Sequence, residues 1–220
     1  MIRLRKTAPL SIAMCALGAI ALTTGCGSSS TQARLLNAMD GQTTIDMLVD
    51  SKTLASGVAF GAASSYASVG SGSHTIEIQA NSATLFSQTA SVNSGNNTIL
   101  ATNSGITIFA DNKTTPSSGN IQIRTINAST SLGTTDVYVV APGTDISTVN
   151  PTFSALAYQG ASGYATVPAG SYQVEFAQAG SKNVLINSNA VSFSASQIRT
   201  VVALDNPSGG YTTAVLSDLN

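Results

Sequence analysis

The 220-residue chain has no tryptophan, one histidine and two cysteines, and only 9% of its residues are charged. Each shortage closes off some chemistry. Both cysteines, Cys15 and Cys26, fall near the start, so no disulfide can form in the remainder; a fold there must be held by packing and hydrogen bonds alone. With a single histidine, any Ser–His–Asp machinery has to use His74, and a zinc or copper site lacks its usual ligands. No cofactor is expected. Charge of one sign is short as well. After Cys26 the basic residues are Arg34, Lys52, Lys113, Arg124, Lys182 and Arg199, six against ten acidic ones, a net charge of −4. They stand singly, which excludes the clustered cationic surface that a nucleic-acid duplex requires. The surface must therefore be mostly Ser, Thr, Asn and Gln, polar and nearly neutral.

Long hydrophobic runs are missing too. The longest uncharged apolar stretch, Ala8 to Leu22, has fifteen residues, short of the roughly 20 that span a bilayer. Arg3, Arg5 and Lys6 precede it, and the small residues Thr24 and Gly25 follow, just before Cys26 and a Gly/Ser-rich stretch. This is the order of a secretory signal peptide. The stretch "ALTTGCGSSS" resembles a bacterial lipobox, departing from it in having Thr23 where Leu is usual, with Leu22 one position further away. The resemblance implies cleavage before Cys26, lipid on its thiol and stable membrane anchorage by more than one acyl chain. Gly27, in place of Asp, resembles the pattern directed to the outer membrane, facing the periplasm or the exterior.

What the chain does have is a repeat. "ARLLNAMDGQTTIDMLVD" (33–50) aligns without a gap with "IRTINASTSLGTTDVYVV" (123–140), matching Arg34 with Arg124, Asn37 with Asn127 and Asp46 with Asp136. "FGAASSYASVGSGSHTIEI" (60–78) aligns with "YQGASGYATVPAGSYQVEF" (158–176), matching Tyr66 with Tyr164 and His74 with Tyr172. "NTILATNSGITIFAD" (97–111) corresponds to "RTVVALDNPSGGYTTAVLSD" (199–218), whose turn is longer. The period is too long for a solenoid unit and suits a domain. The expected organisation is a signal peptide (1–25), a tether (26–32), a first domain (33–111), a linker (112–119) and a second domain (120–220).

Within each copy the apolar period is 2. In "HTIEIQA" Ile76 and Ile78 face one way and Thr75, Glu77 and Gln79 the other, the pattern of a half-buried strand. Candidate strands in the first copy include 33–38, 44–49, 65–69, 74–80, 85–92, 97–102 and 106–110, and no stretch shows a helical apolar stripe. The fold class is all-β: two tandem antiparallel β-sandwich, Ig-like domains. "GSGS" and "PAGS", with Pro168 and Gly170, predict a short hairpin turn with a bulge. "SKTLAS" reads as a short loop whose counterpart is the long segment 141–153.

The motifs "RLLNA" and "RTINA", "TTIDMLVD" and "TTDVYVV", and the pair "YASVGSGSHTIEI" and "YATVPAGSYQVEF" resemble two tandem copies of domain-of-unknown-function family 4397 in a bacterial envelope lipoprotein. That resemblance implies exported β-sandwich modules and assigns no catalytic residue. The residues support the same view. His74 is replaced by Tyr in the second copy, Asp46 and Asp136 suit carboxylates that pin a turn, and Arg34 and Arg124 suit pairing with them across neighbouring strands. Tyr66 and Tyr164 suit core or corner positions, while Tyr158 and Tyr211 complete a possible sugar-stacking set. The segment 141–153 is the largest difference between the copies and the best guess for a recognition loop, with Asp145, Asn150 and Phe153 as its candidate residues. The expected function is that of a non-catalytic structural or protein-interaction module held at the membrane through lipid on Cys26, with another envelope protein as partner. Carbohydrate or peptidoglycan binding is the alternative.

Overall fold

The computed structural model describes residues 30–219. The first copy contributes β1 (Gln32–Asn37), β2 (Thr44–Val49), β3 (Lys52–Ala59), β4 (Ala67–Ser68), β5 (Gly72–Ala80), β6 (Ala83–Val92), β7 (Asn96–Thr102) and β8 (Gly105–Asp111). The second contributes β9 (Asn120–Asn127), β10 (Thr135–Val140), β11 (Phe153–Leu156), β12 (Gly160–Ala161), β13 (Ala165–Pro168), β14 (Gly170–Gln178), β15 (Val184–Phe193), β16 (Ile198–Asp205) and β17 (Tyr211–Leu219). Four sheets result, in the orders β4-β1-β7-β8, β3-β2-β5-β6, β12-β9-β16-β17 with β13 also on β9, and β11-β10-β14-β15. Each sheet draws its strands from one copy alone.

Three apolar clusters fix how the sheets stack. Leu35 and Ile99 of the first sheet pack with Met47, Ile76 and Ile78 of the second. Ile123 and Val201 pack with Val137, Val174 and Phe176 in the same way in the other copy. The third cluster joins Leu36 and Leu100 to Ile126, Val202 and Leu204, across the copies. The two inner sheets therefore lie face to face with an outer sheet behind each, giving four layers. Leu36, Leu100, Ile126 and Val202 are all fully buried between the inner sheets, and each such side chain contributes about 1.5–3 kcal/mol relative to exposure.

This stacking explains where the sequence does and does not alternate. β5 covers one core and alternates, with Ile76, Ile78 and Ala80 buried and Glu77 and Gln79 less so. β1, β7, β9 and β16 are sandwiched on both faces and almost every residue is buried, so "RLLN" and "TVVAL" show apolar residues without a period. The all-β sandwich class follows from the pattern, but the sheets are not purely antiparallel: β1 runs parallel to β7 and β9 parallel to β16. Parallel neighbours need a crossover, supplied here by the excursion through each outer sheet.

Two local expectations are corrected. "SKTLAS" is not a loop, because β3 begins within it. Asp50 and Ser51, at φ 50° and 64°, form the two-residue turn with both central residues left-handed that suits a hairpin, without the Asn-Gly or Asp-Gly pair that usually signals one. The register of β2 against β3 shifts near Met47, and Gly57 turns at φ +62°, so β3 loses the period of 2. The repeated "VGSGSHTIEI" and "VPAGSYQVEF" do not form a hairpin either. β4 pairs with β1 in the inner sheet while β5 pairs with β2 and β6 in the outer one, and β13 and β14 divide in the same way. The decamer is the corner at which the chain changes sheets, needed once per domain. Gly72 takes φ +120°, whereas Gly170 is not among the positive-φ residues.

The corner has a brace. Tyr172 donates its hydroxyl to the carbonyl of Pro168 at 2.8 Å, and in the first copy His74 Nε2 lies 3.0 Å from the carbonyl of Gly70, four residues back as well. His74 Nδ1 lies 2.7 Å from Asp50 Oδ2, and this hydrogen bond, followed by that from the Thr75 N–H, holds the Asp50 carboxyl below its ordinary range. Both ring nitrogens thus face acceptors. His74→Ala should lose about 0.5–1.5 kcal/mol and His74→Tyr less, because tyrosine can keep the brace to the carbonyl four residues back, as in the second copy, while giving up the bond to Asp50; thermal unfolding of the two variants checks this.

Candidate functional site at the seam between the domains

The inner strands send alternate side chains to opposite sides. On β1, Ala33 and Leu35 enter their own core while Leu36 meets the other copy; Arg34, on the same face as Leu36, reaches it too. Arg34 Nε donates to Thr98 Oγ1 at 2.9 Å, Nη1 to the carbonyl of Ser217 at 2.8 Å, and Nη2 to Asp218 Oδ1. Arg124 repeats each contact in reverse, with Nε on Thr200 Oγ1 at 3.0 Å, Nη1 on the carbonyl of Ala110 at 3.2 Å and Nη2 on Asp111 Oδ1 at 2.7 Å. Asp111 ends β8, and Asp218 is the penultimate residue of the equivalent strand β17. Each copy thus lends its arginine to the other copy's aspartate, as residues exchange across a two-fold interface.

The acceptors are fixed in turn. Thr98 and Tyr66 donate to Asp111 Oδ2 at 2.7 Å each; Thr200 and Tyr164 donate to Asp218 Oδ2 at 2.6 and 2.9 Å. The Arg34 guanidinium lies 4.7 Å from the Tyr66 ring centre and that of Arg124 lies 4.9 Å from Tyr164. Arg34 is 3% exposed, Arg124 is 2% exposed, and the side chains of both aspartates are shielded from solvent. Burial opposes the charge on Arg124, yet the carboxylates of Asp111 and Asp218 and the Tyr164 hydroxyl outweigh it and raise its pKa. Burial, with the nearby Asp111 and Asp218 charges adding to it, pushes the Tyr66 and Tyr164 phenols well above their usual range against the opposing pull of the arginines.

The other sequence candidates lie away from this network. Asp46 accepts the Gly57 N–H at 2.6 Å, and Asp136 accepts those of Ala155 and Gly180 at 2.8 Å each. They pin backbone bends, as the turn reading has it, and the suggested pairing with Arg34 and Arg124 is wrong: the arginines reach across the seam. Asp145 caps a short 3-10 turn at Ile146–Thr148, and Asn150 is exposed. Phe153 opens β11 and packs on the second core. Ile146 is buried with Tyr138, Val140 and Ala177 on the outer sheet, and Lys182 donates to both the Val149 carbonyl and the Tyr138 hydroxyl. The segment is therefore tied down along much of its length. The tyrosines do not gather into one platform, since Tyr158 bonds Ser104 and Tyr211 bonds the Ser131 carbonyl. Cys26 lies outside the described residues.

Asp111, Asp218, Thr98 and Thr200 escaped the sequence reading, although their signal was there: each recurs at an aligned position, in "TIFAD" and "AVLSD" and in "NTIL" and "RTVV". Among the described residues no group of three His, Cys, Asp or Glu side chains could hold a metal ion.

The family model described as "Domain of unknown function (DUF4397)" matches residues 31–138 and 139–220. The junction of the two matches falls inside β10, while strand pairing divides the chain between Asp111 and Asn120. No curated protein matches the chain. A structure titled "Alpha-glucan recognition by family 41 carbohydrate-binding modules from streptococcal virulence factors" is 13% identical, covering 84% of this chain and 97% of its own, with a TM-score of 0.28. A leucine-rich repeat protein from Bacteroides thetaiotaomicron is 14% identical over 78% of this chain and 25% of its own, with a TM-score of 0.20. Both scores are too low for either likeness to carry an argument.

Removing one member of a buried ion pair strands its partner, so Arg124→Ala should lose about 3–5 kcal/mol, against about 0.5 kcal/mol or less for the exposed Lys52→Ala; urea unfolding of the three proteins tests the difference. Because the folded state raises the phenol pKa of Tyr66 and Tyr164 above the ordinary value of 10.0, their contribution is complete below that pH and is lost as pH rises beyond it. Stability measured from pH 8 to 12 should fall above about pH 10, and more steeply than in a Tyr66→Phe/Tyr164→Phe variant.

Proposed function

The chain belongs to the DUF4397 family in two tandem copies; we propose that it acts as a non-catalytic interaction module of the cell envelope, anchored to the outer membrane through lipid on Cys26, the anchor resting on the lipobox-like stretch that ends there. One observation carries the reading: reciprocal buried ion pairs join the two sandwiches into a single four-layer block. Such a block offers a fixed surface, and loops or edges on a rigid scaffold are the usual means of recognition. The single histidine, which any Ser–His–Asp chemistry must use, has both ring nitrogens engaged at a corner.

The arrangement of ends supports the anchor. Gln32 begins β1 beside Asn96, which pairs with Asp111. In the second copy Gln122 pairs with Ile198, which pairs in turn with Leu219. The start of the described chain, the linker and the end of β17 thus share one pole. The β1–β2 turn, the loop after β9 and the turn between β16 and β17 occupy the other. Cys26 stands six positions before Gln32, so a lipid there holds the first pole at the bilayer and presents the second. A glycan-stacking role requires free aromatic faces gathered together; of the four candidate tyrosines, cations lie over Tyr66 and Tyr164, while Tyr158 and Tyr211 bond elsewhere, to Ser104 and Ser131.

In cells given labelled palmitate, the wild-type chain should take up label and sediment with membranes while Cys26→Ser does neither; label and sedimentation in the variant would contradict the anchor. Crosslinking of the wild-type chain in intact cells should capture one envelope protein in fixed proportion, and recovery of background alone would contradict the interaction role.

A further inference from the structure

The edges of the two outer sheets differ. In the second copy β15 forms one edge, and it is interrupted: its register against β14 shifts between Gln173 and Glu175, Asn189 stands at φ 60°, and Ser188 Oγ accepts the Val174 N–H at 2.9 Å. A bulge of this kind blunts an edge against further pairing. The equivalent edge of the first copy, β6, has no such guard. Over residues 86–92 it lies opposite β5 without a shift, from Ile78 back to Gly72. Among the described residues β6 pairs with β5 alone, and its ten residues include no charge and no proline.

What this edge presents is symmetric. Ile76 and Ile78 of β5 enter the first core, so Ser87, Thr89 and Ser91, which lie opposite Glu77, Thr75 and Ser73, are on the outer face, and all three are exposed. From Thr89 a hydroxyl residue follows two positions away in either direction. Turned about a two-fold axis at Thr89, a second β6 runs antiparallel to the first and sets Thr89 against Thr89 and each Ser87 against the other copy's Ser91. Serine and threonine so placed hydrogen-bond across strands. A two-fold contact requires such a patch, one that complements itself. The nearest charge on this face, Glu77, sits on β5. Its two copies stand at least three strand spacings apart, about 14 Å, beyond the roughly 8 Å at which physiological salt screens them.

We infer that the 86–92 edge is a self-recognition surface, at which β6 pairs antiparallel with β6 of a second copy of this chain and joins two outer sheets into one. The two-fold reverses the strands, so the tethered poles of the two copies point in opposite directions. To reach the first copy's bilayer, the reversed copy's tether has to run back along its own height, about 30 Å for a ten-residue strand. From Gln32 to Cys26 the chain spans at most about 20 Å. Copies anchored through Cys26 therefore pair between facing membranes and bridge them. The bridge rests on the anchor reading; the pairing does not. An edge of this length makes a small contact of the weak, reversible class, and many copies on each surface multiply it.

Charge at the axis tests the pairing. Thr89 is exposed, so Thr89→Lys and Thr89→Glu should keep the thermal midpoint. In sedimentation equilibrium over a concentration series, the full chain in detergent should self-associate. Either variant alone should lose about tenfold or more in affinity, because like charges meet at the axis, and an equal mixture of the two should regain it. Phosphatidylcholine vesicles carrying the full chain should cluster, those carrying either variant should not, and mixing the two kinds of vesicle should restore clustering. A wild type that stays monomeric throughout the series, or whose association neither substitution moves, overturns the proposal. Association in detergent without clustering keeps the edge contact but overturns the bridge, and with it the anchor placement on which the bridge rests.

Discussion

The joining of the two domains depends on the exchange of Arg34 and Arg124 for Asp218 and Asp111 across the seam. Two positive and two negative charges are buried together. Such groups are tolerable out of water only when each is paired and its remaining hydrogen-bonding capacity is filled. Thr98, Thr200, Tyr66 and Tyr164 do the filling. The arrangement is directional where the surrounding Leu36, Leu100, Ile126 and Val202 are not, and it sets the register of one inner sheet against the other. Apolar burial supplies most of the attraction between the domains; the ion pairs specify the geometry.

Much of this was legible from the amino acids. The repeat, the period of 2 in β5 and the turn residues led directly to two all-β sandwiches. The recurrence of Arg34 and Arg124 correctly marked them as structural. Their partners were not legible from spacing, because a sequence shows which residues repeat and not which copy each one touches. The expected pairing with Asp46 and Asp136 was local and plausible, but those carboxylates are consumed by the backbone of Gly57, Ala155 and Gly180. β3 was lost where a register shift and Gly57 erase the alternation. The "GSGS" and "PAGS" turns read as a hairpin from sequence, since a corner between two sheets and a turn within one use the same Gly, Ser and Pro.

The candidate recognition loop shows how a difference between repeats can mislead. Segment 141–153 is the largest insertion, yet Ile146, Lys182 and Phe153 fasten much of it to the second domain. The more consequential differences are single side chains at the seam. Gly61 for Gln159 and Leu204 for Thr102 replace a hydrogen-bonded pair by apolar contact, with Leu204 buried against Gly61.

The central claim is that the two sandwiches behave as one cooperative body. The most direct measurement is urea unfolding of the chain followed at two probes, one reporting on each domain's outer sheet, such as fluorophores at Ser87 and Asn187 introduced one at a time as cysteine conjugates. The account predicts coincident transitions with one midpoint at both sites. Separate midpoints, with one domain unfolding while the other stays native, would contradict it.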